Sequence, residues 1–230
     1  MQLPRILLVI ALASGCAQGV TSRTDRFEPS AAATVTSAAV EDASAPEPDA
    51  AVVAEVPAEP PPPPRPKKVL LLGDSMVGYG RGLSLALKKR FESEGIEFHW
   101  DAKTSASVQS FDREDVLDRM IRLFDPDLIL LSLGTNNLSY PNPEAFGGNV
   151  ASLAKKMADH GRACVWVGPL KPSWKWNPHS LEVIRDHAAP CRYFDSSGVE
   201  APIQTDHIHP TDVGGEKWAG PLYAFLLPTP

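Results

Sequence analysis

The stretch Lys68-Val69-Leu70-Leu71-Leu72-Gly73-Asp74-Ser75 decides the fold. Four consecutive large apolar residues cannot alternate between core and solvent, so they read as a strand covered on both faces, the habit of a parallel sheet. The run stops at a glycine and delivers a serine just past it, where an open α/β sheet collects its ligands. Working outward, strand candidates at 68–73, 96–101, 127–133, 163–168 and 191–195 alternate with helical patterns at 80–94, 113–124, 144–160, 179–188 and 212–226. Gly95 and Gly161 follow two of these helices as caps, and Asp125-Pro126 stops another before a strand. This alternation predicts an α/β fold: a three-layer α/β/α, flavodoxin-like arrangement with a five-stranded parallel sheet.

The chain does not begin with that domain. Residues 1–16 hold one basic residue, Arg5, then the apolar run Ile6-Leu7-Leu8-Val9-Ile10-Ala11-Leu12, then Ala13-Ser14-Gly15-Cys16. This is a secretory signal layout, with an apolar stretch too short to span a bilayer. Small residues directly before a cysteine resemble the lipobox of bacterial lipoproteins. That likeness implies an exported chain anchored to the membrane of the bacterial envelope through a lipidated Cys16, although Ala13 stands where leucine is commoner. Residues 17–66 are dominated by Ala, Ser, Thr, Pro, Glu and Asp, carry Phe27 as their only aromatic, and include the proline run 60–64. Such a segment buries too little apolar surface to offset its ordering entropy and reads as a tether, about 40 Å across as a flexible coil. The whole chain carries a net charge of −6, most of it in the tether, which leaves about −2 on residues 67–230. No basic stripe remains there, which argues against a nucleic-acid partner. One domain with one sizeable core, a monomer, is expected.

A second block, Asp206-His207-Ile208-His209-Pro210, falls between the last strand and the last helix, on the same sheet edge as Ser75. A serine hydroxyl is too weakly acidic to attack an ester at neutral pH unless a positioned base takes its proton. The three-residue offset between Asp206 and His209 lets one tight turn bring a carboxylate and an imidazole to one side. His207 leaves alternatives open: it could be the base, or His207 and His209 could form a metal pair on an extended segment. A catalytic zinc site would want a third ligand, none of which stands nearby in sequence, so no metal is expected. A third block, Gly134-Thr135-Asn136-Asn137, follows the third strand and would pass alone for a strand-ending turn. Two rival sites are absent. No serine sits in a G-x-S-x-G nucleophile elbow, and the glycines at 73, 78, 80 and 82 fit neither phosphate-cradling pattern.

Taken together, Gly73-Asp74-Ser75, Gly134-Thr135-Asn136-Asn137 and Asp206-His207-Ile208-His209 resemble the SGNH (GDSL-like) hydrolases, over about 67–227. The resemblance implies a serine nucleophile at Ser75, a general base at His209 and an orienting carboxylate at Asp206, with no cofactor. It also implies an oxyanion hole built from the Ser75 N–H, the Asn136 side-chain amide and the N–H of a glycine after the second strand. Here the sequence departs from the family: Lys103-Thr104-Ser105-Ala106-Ser107 contains no glycine, so Ser105 or Ala106 would have to donate. The expected activity is hydrolysis of small acyl esters, with O-acetyl groups on envelope or environmental carbohydrate as the substrate class. An O-acyltransferase using the same triad and a catalytically inactive binding module are the alternatives.

Cys164 and Cys191 open the fourth and fifth strands, which neighbour each other in the expected order, close enough for a disulfide. A bridge would suit an oxidising compartment, and two buried thiols are the alternative. Trp174 and Trp176 flank Lys175 in the loop after the fourth strand. They would either stack on a sugar ring or acyl group, or cap the core beneath a long loop. Trp100, Trp166 and Trp218 fall in strand or helix patterns and are expected in the core.

Overall fold

The computed structural model describes residues 65–78 and 81–227. The signal segment, Cys16 and nearly all of the expected tether lie outside the described residues. Strands β1 (Lys68–Gly73), β2 (Glu97–Ala102), β3 (Leu128–Ser132), β4 (Ala163–Val167) and β5 (Arg192–Phe194) form one parallel sheet in the order β2-β1-β3-β4-β5. Helices α1 (Gly82–Ser93), α2 (Val108–Asp112), α3 (Val116–Phe124), α4 (Glu144–Asp159), α5 (His179–His187) and α6 (Asp212–Leu226) cover it. This is the expected three-layer, flavodoxin-like architecture. The short α2 is an addition: its start rests on a reciprocal Ser107/Ser110 capping box, which lacks the Glu or Gln that marks such a box in sequence.

The continuous apolar run of β1 is explained by a helical layer on each side. Leu70 and Leu72 point to the layer of α2 to α5, against Ile129, Leu131 and Trp166. Val69 and Leu71 point to the layer of α1 and α6, against Leu87, Phe91, Trp218 and Leu222. All four β1 side chains are fully buried, and truncating one to alanine would cost about 2–5 kcal/mol. Trp166 and Trp218 thus anchor opposite cores, whereas Trp100 is only partly buried at the edge of the second.

Two close approaches fix the edge that matters for chemistry. A Cβ on Gly73 would lie 2.1 Å from the Ser132 carbonyl oxygen and 2.7 Å from Val77 Cγ2, so only glycine lets β1 end beside β3 and turn at once. A Cβ on Gly215 would lie 2.2–2.4 Å from the backbone of Gly82, so the first turn of α6 presses directly on the start of α1. The Gly82 N–H donates to Asp212 Oδ1 at 3.2 Å across the same junction. The chain just before α6 is thereby held over the carboxyl end of β1.

At the opposite edge a disulfide joins Cys164 and Cys191, with Cα atoms 4.9 Å apart. It continues the register in which Val165 faces Arg192 and ties β4 to the short edge strand β5.

Candidate active site

Asp74 shapes the first wall of the site. Its Oδ1 accepts the Met76 N–H at 2.9 Å and caps a 3-10 turn, Ser75–Val77, while its own N–H donates to the Ser132 carbonyl at 3.1 Å. Ser75 therefore stands half-buried at the head of the turn, with its N–H among the first-turn donors that a helical turn leaves unpaired. Burial pushes the Asp74 carboxyl from 3.8 up to about 7, against partial relief from the Met76 N–H and from His209.

The second wall is the loop before α6. A bridge between Ile203 and Pro210, together with bonds from the Gln204 N–H to the His209 carbonyl (2.8 Å) and from the Thr211 N–H to the Pro202 carbonyl (2.9 Å), closes it into a tight hairpin. Thr211 Oγ1 accepts the Gly214 N–H at 3.0 Å and starts the helix. Within the hairpin, Asp206 Oδ1 accepts the N–H groups of Ile208 (2.8 Å) and His209 (3.0 Å), and Asp206 Oδ2 lies 2.7 Å from His209 Nδ1. His209 Nε2 lies 2.9 Å from Ser75 Oγ. The carboxylate holds the proton on Nδ1 and leaves the Nε2 lone pair facing the serine hydroxyl. Asp206 is lowered to about 2, first by the bond from the imidazole and then by the two backbone donors.

The structure thus brings Ser75, Asp206 and His209 together and leaves His207 apart. His207 is exposed and takes the left-handed conformation of the turn, with φ of 62° and its N–H on the Gln204 carbonyl. Among the described residues no group of metal-ligating side chains is assembled.

Asn136 comes from a 3-10 turn, Thr135–Asn137, directly after β3. Its Nδ2 donates to the Ala106 carbonyl at 2.9 Å and lies 3.4 Å from Asp74 Oδ2, which fixes the amide beside the serine turn. Its neighbour Asn137 is fully buried and committed elsewhere, accepting the Val108 N–H at 2.9 Å and donating to Gln109 Oε1 at 2.8 Å. In the loop after β2 the question of the missing glycine has a geometric answer. Ser105 has φ of 57°, the left-handed region that glycine enters most readily. The Ala106 N–H is already bonded to the Lys103 carbonyl at 3.2 Å, which makes Ser105 the better of the two candidate donors. Neither the conformation of Ser105 nor the double duty of Asp74 carries a sequence signal: serine is not marked for positive φ, and the G-D-S triplet names Asp74 without giving it a role.

Trp174 and Trp176 are both half-buried. Trp174 Nε1 donates to Ser139 Oγ at 3.4 Å, and Trp176 lines an open cleft beyond β4 and β5.

Fold and edge geometry define a class of protein, an α/β/α architecture that gathers a serine, a histidine and an aspartate at the carboxyl edge of its parallel sheet, and solved structures share the fold. A lipase/acylhydrolase from Enterococcus faecalis superposes with a TM-score of 0.57 at 16% identity, over 70% of this chain and 95% of its own. TesA does so at 0.57 and 22% identity, over 70% of this chain and 98% of its own. Axe2, an acetylxylan esterase from Geobacillus stearothermophilus, gives 0.54 at 14% identity, over 71% of this chain and 95% of its own. At these identities the likeness establishes the fold, which is that of the SGNH-type hydrolases. No protein-family profile matches the sequence, and no curated protein does.

Proposed function

We propose that this protein is a serine esterase of the SGNH type that hydrolyses small acyl esters. The observation that carries the reading is the unbroken relay from Ser75 Oγ to His209 Nε2 (2.9 Å) and from His209 Nδ1 to Asp206 Oδ2 (2.7 Å). In the first half-reaction Ser75 Oγ attacks the ester carbonyl carbon as its proton passes to His209 Nε2. The resulting imidazolium is stabilised by Asp206. The carbonyl oxygen becomes an oxyanion facing the N–H groups of Ser75 and Ser105 and the Asn136 amide, which exchanges its long 3.4 Å contact with Asp74 Oδ2 for the oxyanion. Collapse breaks the carbon–oxygen bond, and His209 returns the proton to the departing alcohol. Water then repeats the sequence on the acyl-serine and releases the acid.

An O-acyltransferase would run the same first half and replace water with a sugar hydroxyl, which requires water to be kept out. The side chains of His209 and Asp206 are 34% and 41% exposed, which favours hydrolysis. O-acetyl groups on carbohydrate are the substrate class we favour. The protein is further proposed to be an exported monomer held to the bacterial envelope through Cys16, a reading supported by the signal layout and by the Cys164–Cys191 bridge. The test is incubation of the protein with 4-nitrophenyl acetate, with and without oligosaccharide acceptors. Free acetate formed at the same rate in both is expected, and acetylated sugar as the only product would overturn hydrolysis in favour of transfer.

A further inference from the structure

The open cleft beyond β4 and β5, about 290 Å³ in volume, takes no part in the relay. Lys171 and Trp176 enter it from the segment after β4, Glu182 and Arg185 from α5, Tyr193 from β5 and Asp195 just past β5. It therefore opens on the same edge of the sheet as Ser75 and His209. The segment 168–178 that forms one wall also reaches the catalytic loops. Ser173 Oγ donates to the His207 carbonyl at 3.5 Å, the Asn177 N–H donates to the Leu138 carbonyl at 2.8 Å, and Asn177 Nδ2 donates to the Tyr140 carbonyl at 3.2 Å. The segment that walls the cleft is thus pinned to the histidine hairpin and to the chain just after the asparagine turn.

The lining matches one ligand chemistry. The C–H face of a pyranose is apolar and stacks on an indole such as Trp176, while its hydroxyls need donors and acceptors side by side. Lys171 and Arg185 supply donors, and Glu182 and Asp195 supply acceptors. Burial pushes the Tyr193 phenol up, so it stays a neutral hydroxyl. Two cations set against two anions leave no net charge to hold an ionic ligand, and the cleft is larger than a small acyl group needs.

We propose that this cleft is a subsite for a neutral glycan chain, which binds across Trp176 and Arg185 while an ester borne on that chain lies at Ser75. The proposal names the substrate class for the esterase reading and rests on it for the placement of the ester, but binding in the cleft can be read without any turnover. Calorimetric titration of the full chain with unesterified xylohexaose should show saturable binding. Trp176→Ala and Arg185→Gln should each weaken it by about tenfold. Arg185 is an exposed side chain, so its variant reports on the cleft even where the tryptophan variant fails to fold. Absence of binding to xylohexaose, or binding that both variants retain in full, overturns the subsite. Binding confined to a hexamer of galacturonic acid overturns the neutral class. Failure of the protein to cleave 4-nitrophenyl acetate would count against the esterase reading alone, since the titration contains no ester.

Discussion

Ser105 takes the left-handed conformation, with φ of 57°, in the loop proposed to complete the oxyanion hole, and the cost of that conformation can be separated from its consequence. A non-glycine residue in the left-handed region carries about 1–2 kcal/mol of strain, which the surrounding loop must hold. Ser105→Gly should therefore leave kcat for 4-nitrophenyl acetate essentially intact. Ser105→Pro removes the N–H and demands a negative φ, and should lower kcat by about 10²–10³-fold, as should Asn136→Ala. Unaltered kcat in both would exclude these donors from the hole. Asp74 makes a prediction of a different kind. Its folded pKa, about 7, stands above its unfolded 3.8, so its contribution to stability is full below the unfolded value and is lost as pH rises through 7. Asp74→Asn removes that dependence. The melting temperature of the variant minus that of the unsubstituted protein should thus rise between about pH 5 and about pH 8, and a pH-independent difference would contradict it. The same change sets an N–H or an amide oxygen against the Asn136 amide where a carboxyl group half-ionised near pH 7 was, so kcat should fall.

At the scale of elements, β1, β3 and β4 are legible as continuously apolar runs, whereas β2, β5 and the five longer helices are legible from the alternation of short and long segments, which βαβ handedness leaves few ways to order. The five-residue α2 is not legible, since it is too short for periodicity and takes its start from a serine pair. Its existence nevertheless matters, because Asn137 holds α2 through Val108 and Gln109 while Asn136 holds Ala106 just before it. The candidate site was legible at the level of which blocks meet, since all three follow strand ends on one edge. Which asparagine faces the serine could not be derived from spacing alone; the family resemblance singled out Asn136, and the structure buries Asn137. The disulfide belongs to the opposite edge and closes a sequence separation of 27 residues around β4, α5 and β5. Replacing both cysteines with serine should lower stability by about 3 kcal/mol, read as a drop in the urea midpoint. Activity of the folded protein at 25 °C should change by less than about twofold, because the bridge is remote from Ser75. Loss of activity without loss of folding would show that β5 must be tied for the site to form.

For the whole molecule, the proposed export and anchoring rest on the signal layout and Cys16 of the sequence. If Cys16 carries a lipid, Cys16→Ser in a bacterial host should move the protein from the membrane pellet to the soluble exported fraction with unchanged kcat, and an unaltered distribution would contradict the anchor. The proposed chemistry depends on one claim, that His209 makes Ser75 a nucleophile. A fluorophosphonate probe tests it directly, because only an activated serine displaces the leaving group at phosphorus. Stoichiometric labelling is expected, located to Ser75 by peptide mass spectrometry, that disappears in Ser75→Ala and falls by orders of magnitude in His209→Ala while both variants remain folded. Labelling that persists in folded His209→Ala, or a folded protein that is never labelled, would contradict it.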